Sequence, residues 1–140
     1  MEISVEYITE RFREYNKDVF NHVLPLPQIR LMKSYRYSGR FSCKKPVGRR
    51  RLKEPRIEIS CYFDWREEDF RNVLLHEMLH YYLAFTHIDN AVTHGEAFLE
   101  HAKEINEKHG CNITVLMDTA SFKRAAKAPK LSWFFARVFG

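Results

Sequence analysis

The stretch His76-Glu77-Met78-Leu79-His80 has the pattern H-E-x-x-H, and it determines how the rest of the chain is interpreted. Two His residues four positions apart lie on one face of an α-helix, so both imidazoles can bind the same Zn²⁺ ion. Glu77, next to the first His, is placed to take a proton from a water molecule that attacks a substrate. The stretch therefore predicts a metal site of the kind found in metal-dependent hydrolases.

The H-E-x-x-H pattern has this meaning only in a helix, and the flanking sequence predicts one. Residues 65–85 contain neither Gly nor Pro, and their apolar residues cover more than one stripe, as in a helix buried on most sides. Asp64 is the predicted N-cap, with Glu67 three residues later as its capping-box partner. We therefore expect the motif to lie on a buried helix.

A catalytic zinc site usually has three protein ligands and one open position, so a third ligand is expected downstream. The longer zinc pattern, with its third His six residues after the second, would need a His at position 86, where the chain has Thr86. His87 misses that position by one residue. The remaining candidates among the downstream His residues are His94, His101 and His109.

His94 is the favoured third ligand, because the sequence around it predicts a second helix. Thr93-His94-Gly95-Glu96 has the form of a capping box, and Gly110 is the predicted stop, so His94 is expected in the first helical turn. His101 lies about two turns further along and is expected outside the ligand set. The acidic alternatives for the third position are Glu96 and Glu100.

Patterns upstream of the motif predict one helix and three short strands. Ser4 is the expected cap of a helix with apolar residues three and four positions apart, which Pro25 and Pro27 end. Strands are predicted at residues 29–32, 37–43 and 56–61. Strands grouped ahead of helices predict an α+β fold with a small, mainly antiparallel sheet packed on the H-E-x-x-H helix. Residues 112–117 fit a further strand or an irregular return equally well.

Basic residues are concentrated in two segments of the chain, residues 36–56 and residues 119–140. Residues 36–56 contain nine Lys or Arg and a single acid, Glu54, with Tyr35, Tyr37 and Phe41 nearby. Such clusters suit the backbone and exposed bases of a nucleic acid, and the alternative is a solvated loop that serves solubility. The predicted nucleic-acid contacts are Arg40, Lys44, Lys45, Arg49, Arg50 and Arg51.

Length and composition place limits on the class of protein. A chain of 140 residues with 45% hydrophobic content is expected to form one domain, residues 1–140. It has no apolar stretch of about 20 residues and no secretory signal pattern, so we expect an intracellular protein. Three Cys residues without C-x-x-C spacing predict neither a disulfide framework nor a zinc ribbon. The basic, aromatic C-terminal segment 119–140 fits a packing element, a partner-binding segment or a membrane-surface contact, and packing onto the domain is the simplest of these.

The chain resembles the SprT-like zinc metallopeptidase family, which includes the DNA-dependent proteases of the Spartan type. The resemblance covers roughly residues 5–110. It implies a zincin-like fold, one Zn²⁺ bound by His76, His80 and His94, and proteolysis, which in Spartan-type members acts on proteins bound or crosslinked to DNA. The chain lacks the Cys-rich zinc ribbon of many relatives. The matching stretches are Asn21-His22-Val23-Leu24-Pro25-Leu26-Pro27, Ile57-Glu58-Ile59-Ser60, Leu74-Leu75-His76-Glu77-Met78-Leu79-His80, His94-Gly95-Glu96-Ala97-Phe98 and Ile105-Asn106.

The sequence thus predicts a zinc-dependent endopeptidase with Glu77 as general base and a protein or peptide substrate. Action on DNA-associated proteins is what the resemblance to Spartan-type members implies. An edge strand, at 57–60 or 37–43, is expected to hold an extended peptide. Two other readings remain open: a three-His metal-dependent nuclease, and a non-catalytic module in which the metal joins two helices and the basic segments bind nucleic acid. Candidates for stabilising the oxyanion are Tyr35, Tyr37 and His101.

Overall fold

The computed structural model describes residues 1–44, 52–86, 94–115, 119, 122–126 and 128–129. Three helices and a small mixed sheet give an α+β architecture, as the order of predicted elements indicated. The elements in chain order are α1 Val5–Phe20, β1 Gln28–Met32, β2 Gly39–Lys44, β3 Lys53–Ser60, β4 Phe63–Asp64, α2 Glu67–Phe85, α3 Glu96–His109 and β5 Lys123–Arg124.

The main sheet has the strand order β1-β3-β2, with β3 in the centre. β1 runs parallel to β3, and β2 runs antiparallel to it, so the prediction of a mainly antiparallel sheet is wrong. Alternation along β3 fixes which side chains face inward, but it does not fix the direction of the neighbouring strands. Ile57 and Ile59 of β3 are fully buried, and their register partners include Ile29 on β1 and Phe41 on β2.

The first helix begins as predicted and ends earlier than predicted. The Ser4 side chain accepts a hydrogen bond from the Tyr7 amide at 3.0 Å, which confirms the cap. The helix ends at Phe20 and not at the prolines, because Asn21 adopts a left-handed conformation with φ of 53°. Asn can adopt this conformation at lower cost than most residues.

Neither predicted capping box marks the start of its helix. α2 begins after Arg66, which makes no side-chain cap, and the carboxylate of Asp64 instead accepts a hydrogen bond from the N-terminal amine of Met1. α3 begins after Gly95, also without a side-chain cap, so His94 lies just before the helix rather than in its first turn. The predicted stop at Gly110 is confirmed by its left-handed φ of 65°.

α2 occupies the centre of the molecule, in contact with α1, α3, β2 and β3. Twelve of its residues are buried, which confirms the predicted burial on most sides. Aromatic rings bridge it to its neighbours: Phe12 of α1 and Phe41 of β2 both pack on Tyr81. The helix that carries the two His residues is therefore held in place by packing against α1 and β2.

The remaining predictions concern residues 112–117 and residues outside the described ranges. Residues 112–115 have no helical or strand structure, which matches the irregular alternative. Lys45, Arg49, Arg50, Arg51, His87, Thr93 and the segment 131–140 lie outside the described residues. None of the helices in the described ranges is long and apolar enough to cross a membrane.

Candidate metal centre

Three imidazoles converge on one point between α2 and the start of α3. His76 and His80 lie one helical turn apart with their Nε2 atoms 3.2 Å apart, and the Nε2 of His94 lies 3.1 Å from each. A Zn–N bond of about 2.0–2.1 Å places the nitrogens of a tetrahedral centre about 3.3–3.4 Å apart. The three ring nitrogens therefore fit a single metal ion with a Zn²⁺-like radius.

The carbonyl oxygen of Thr114 fixes the orientation of the His76 ring. Nδ1 of His76 lies 2.7 Å from this oxygen, and because a carbonyl can only accept, Nδ1 must donate its proton. The lone pair of Nε2 then faces the other two imidazoles. Histidine ligands of metals commonly donate their second ring N–H in this way. Sequence reasoning missed Thr114, since a backbone carbonyl leaves no side-chain signal.

The apolar ring of Phe98 on α3 packs against all three imidazoles. Its ring centroid lies 5.0 Å from that of His76, 4.7 Å from that of His80 and 4.9 Å from that of His94. Phe98 itself is fully buried, so it excludes water from one side of the cluster. By packing against all three rings it also limits their rotation. The sequence showed Phe98 only as an apolar helix position.

Glu77 is buried beside the imidazoles, with one carboxylate oxygen available. Oε1 lies 3.9 Å from Nε2 of His76, and Oε2 has no hydrogen-bond partner within the described part of the chain. Burial raises the pKa of Glu77 to about 8, against a smaller lowering by the charge of Arg40. A buried acceptor without a partner is costly unless water, a ligand or a substrate group donates to it.

Burial also keeps the imidazoles of His76 and His94 in the form that binds metal. Burial, together with the neighbouring His80 and His94, lowers the pKa of His76 to about 3, and burial lowers the pKa of His94. Metal binding requires neutral imidazole, so protons do not compete for His76 or His94 at neutral pH. The chemistry of the donors thus fits a divalent cation that accepts nitrogen ligands.

Gly39 brings the edge strand β2 against Glu77. A Cβ atom at Gly39 would lie 2.9 Å from Cγ1 of Val73 and 3.1 Å from Cγ of Glu77, which is too close for an ordinary contact. β2 is an edge strand, whereas β3 is paired on both sides, so the prediction of an edge at residues 57–60 is wrong. The segment 37–43 remains as the candidate edge.

The other predicted ligand candidates are not part of the cluster. Of the His, Cys, Asp and Glu residues described, the group that could hold a metal around this point consists of His76, His80 and His94, without Glu96 or Glu100. His101 lies 2.8 Å from the Ala97 carbonyl through Nδ1, and its ring lies 5.9 Å from that of Tyr82. It therefore packs along α3, outside the three-His cluster.

The candidates for oxyanion stabilisation differ in their surroundings. The buried Tyr35 donates its hydroxyl proton to the Pro129 carbonyl, and Nδ1 of His101 is bound to Ala97. Tyr37 is 46% exposed, and the guanidinium groups of Arg36 and Arg40 lie 5.3 and 5.4 Å from its ring centre. Two of the three predicted groups are thus bound to backbone carbonyls.

The aromatic residues of the basic segment do not form one surface. Tyr35 is buried and Phe41 stacks on Tyr81, so neither is available to stack on a base. Arg40 and Lys44 are exposed on β2, and Lys44 pairs with Glu54 at 3.0 Å. Of the interleaved aromatic residues, Tyr37 alone has the exposure that the prediction required.

Comparison with known proteins gives a family match that spans the residues of the candidate site. No curated protein matches the chain. The family model for the SprT-like family matches residues 8–117, a span that contains the three imidazoles and Glu77. More than half of the chain is matched, and the protein belongs to the SprT-like family.

Proposed function

We propose that the protein is a zinc-dependent endopeptidase of zincin-like fold, with His76, His80 and His94 as the zinc ligands and Glu77 as the general base. One observation carries the proposal: three Nε2 atoms within 3.2 Å of one another lie beside a buried carboxylate that has an unpartnered oxygen. Zinc, when bound there, polarises a carbonyl group and a water molecule. Family membership supports the same reaction class.

Glu77 supplies the proton transfers of the reaction. Its unpartnered Oε2 can accept a proton from the attacking water, and the protonated carboxyl can then deliver that proton to the leaving amine. Burial raises the pKa of Glu77, which makes its carboxylate a stronger base than one in water. A divalent cation held by the three imidazoles would oppose this shift and favour the ionised carboxylate before reaction.

The edge strand β2 is the proposed peptide-binding element. Its partner within the described sheet is β3, so its other edge is available to pair with an extended peptide. The close approach at Gly39 places the first residue of β2 against Glu77. A peptide paired with β2 would therefore lie with its main chain next to the general base.

A purely structural metal site is less consistent with these residues. Structural zinc sites usually close their fourth position with another protein ligand. The cluster found in the described ranges offers three ligand residues, and the group beside them is a carboxylate suited to proton transfer. These features favour hydrolysis over a metal that only joins α2 to α3.

The variant Glu77→Gln tests the proposal, because it removes the base without removing a ligand. We expect the variant to bind one zinc per chain and to lose cleavage of an unfolded protein substrate by at least about a hundredfold. Glu100→Gln, an exposed change on α3, is the matched control. Undiminished cleavage by Glu77→Gln would refute the assignment. Shortening of RNA or DNA, with intact protein substrate, would favour the nuclease reading.

We further propose that the outer face of the main sheet binds nucleic acid and brings bound proteins to the three-His cluster. Ile57 and Ile59 face the core, so the residues between them and their register partners face outward. Arg40 is exposed, and the guanidinium groups of Arg36 and Arg40 lie 5.3 and 5.4 Å from the ring centre of Tyr37. The outward rows are Arg30, Glu58 and Arg40, then Gln28, Arg56 and Ser42.

Binding to this face should depend on charge at named positions. We expect Arg30→Glu combined with Arg56→Glu to weaken binding of a labelled single-stranded oligonucleotide about tenfold or more in fluorescence anisotropy. Arg13→Glu combined with Lys17→Glu, both exposed on α1, introduces the same change of charge elsewhere and should have a small effect. Wild-type affinity should fall steeply with salt. Affinity that does not change with salt, or equal losses in both variants, would contradict the proposal.

A further inference from the structure

We infer that Asn106 is a positioning residue for the metal centre, acting through the return segment, defined as residues 110–114 after α3. The inference rests on the proposed metal site. Asn106 lies in the last turn of α3, and its side-chain amide forms hydrogen bonds with both the carbonyl and the amide group of Ile113. Nδ2 donates to the Ile113 carbonyl at 3.1 Å, and Oδ1 accepts from the Ile113 amide at 2.8 Å.

Ile113, the residue that Asn106 binds, lies one position before the residue whose carbonyl group orients His76. Thr114 follows Ile113 directly, and its carbonyl oxygen lies 2.7 Å from Nδ1 of His76. Because consecutive peptide planes share a Cα atom, fixing Ile113 restricts where the Thr114 carbonyl can point. Asn106 therefore constrains the orientation of His76, a proposed metal ligand that it does not contact.

Other side chains anchor the beginning of the same segment to α2. Arg71 donates to the Gly110 carbonyl at 3.0 Å, and Asn72 accepts from the Asn112 amide at 3.0 Å. Residues 110–114 lie outside the helices and strands, and the amide of Gly110 donates to the Asn106 carbonyl at the end of α3. The side chains of Arg71 and Asn72 satisfy further backbone groups that a regular element would pair internally. Of these ties, the one from Asn106 is nearest to Thr114.

Loosening Thr114 would act on metal binding through the His76 ring. An imidazole whose Nδ1 loses its acceptor can rotate, and its Nε2 then leaves the point where the other two ring nitrogens meet. Loss of an outer hydrogen-bond partner of a metal ligand typically lowers metal affinity about 10–100-fold. A structural role alone would lower stability without this specific effect on affinity.

The chain contains a matched control for the two hydrogen bonds between Asn106 and Ile113. Asn16, near the end of α1, donates to the Leu24 carbonyl at 2.8 Å and accepts from the Leu24 amide at 3.2 Å. Both Asn side chains thus bind the backbone of a buried apolar residue, seven positions later for Asn106 and eight positions later for Asn16. The residue after Leu24 is Pro25, and its carbonyl accepts from the Tyr81 hydroxyl rather than from an imidazole.

The experiment compares Asn106→Ala with Asn16→Ala in the full chain. Zinc affinity is measured by competition with a chelating dye, and the unfolding midpoint is measured in the metal-free state. We expect both variants to lose stability, whereas zinc affinity falls about 10–100-fold in Asn106→Ala and less than twofold in Asn16→Ala. Asn106→Asp, which keeps the acceptor but not the donor, should lie between wild type and Asn106→Ala, and it serves as the test variant if Asn106→Ala does not fold.

Several outcomes would overturn the inference. Wild-type zinc affinity in Asn106→Ala would do so, as would equal losses in the Asn106 and Asn16 variants. If the wild-type protein binds no zinc, both the inference and the proposed function fail. If it binds zinc with the expected pattern among variants but cuts no protein, the proposed function fails and the inference stands.

Discussion

Glu77 is a buried carboxyl group whose charge is disfavoured by its surroundings in the metal-free protein. Burial raises the pKa of Glu77 to about 8, whereas in the unfolded chain it titrates near its ordinary value of 4.5. Between these two pH values the folded state binds more protons than the unfolded state, so this group lowers stability progressively as pH rises. Metal-free Glu77→Gln should therefore be more stable than wild type by on the order of 2–4 kcal/mol at pH 8 and by little at pH 5.

Urea unfolding of the chelator-treated proteins at the two pH values measures this difference. The pKa of His76 is lowered by burial to about 3, so His76 costs stability as pH falls from about 6.5 towards 3, equally in both proteins. Glu100→Gln, which removes an exposed carboxyl group on α3, is the control variant for the same measurement. A gain for Glu77→Gln that is the same at pH 5 and pH 8 would contradict the argument.

The residues of the site differ in how far sequence alone could identify them. His76, Glu77 and His80 are set by helical spacing, so a pattern along the chain is sufficient to name them. Thr114 acts through its carbonyl from 38 residues away, and Asn106 acts through the backbone of Ile113. Such roles depend on which segments meet in three dimensions, and no local pattern encodes them.

At the scale of elements, periodicity predicted the helices and strands better than their ends and pairing. α2 was predicted from an uninterrupted apolar run, and the structure places it at residues 67–85. Its predicted cap, Asp64, binds the N-terminal amine instead, a partner 63 residues away. The parallel pairing of β1 with β3 was likewise missed, since inward alternation is compatible with either strand direction.

The contact between β2 and α2 at Gly39 yields a prediction about two elements. A methyl group at Gly39 would lie 2.9 Å from Cγ1 of Val73, so Gly39→Ala should force the strand and helix apart and destabilise the protein by about 1–3 kcal/mol. Val73→Ala removes the clashing atom. The double variant should therefore be more stable than the sum of the single effects by roughly 1 kcal/mol or more, as measured by urea unfolding. Additive losses would show that the contact can relax at no cost.

Across the whole molecule, the three-His cluster and the return segment connect α3 to α2 at opposite ends of α3. His94 precedes the helix and meets His76 and His80, whereas Asn106 near its end holds Ile113. Phe98 supplies apolar packing between these two points. A ligand that binds only the folded state stabilises it according to its concentration, by about 4 kcal/mol at a thousand times its Kd.

Zinc should accordingly raise the unfolding midpoint of the protein, and most of this rise should depend on His94. In His94→Ala the two remaining imidazoles lie on the same helix, so bound zinc no longer connects α3 to α2, and its contribution to stability should fall by several kcal/mol. His101→Ala also removes an imidazole from α3, but one that lies outside the cluster, and it should keep the full rise. Thermal unfolding of each variant with zinc and with chelator measures both quantities. A rise in His94→Ala equal to that of wild type would mean that zinc stabilises the protein from another position.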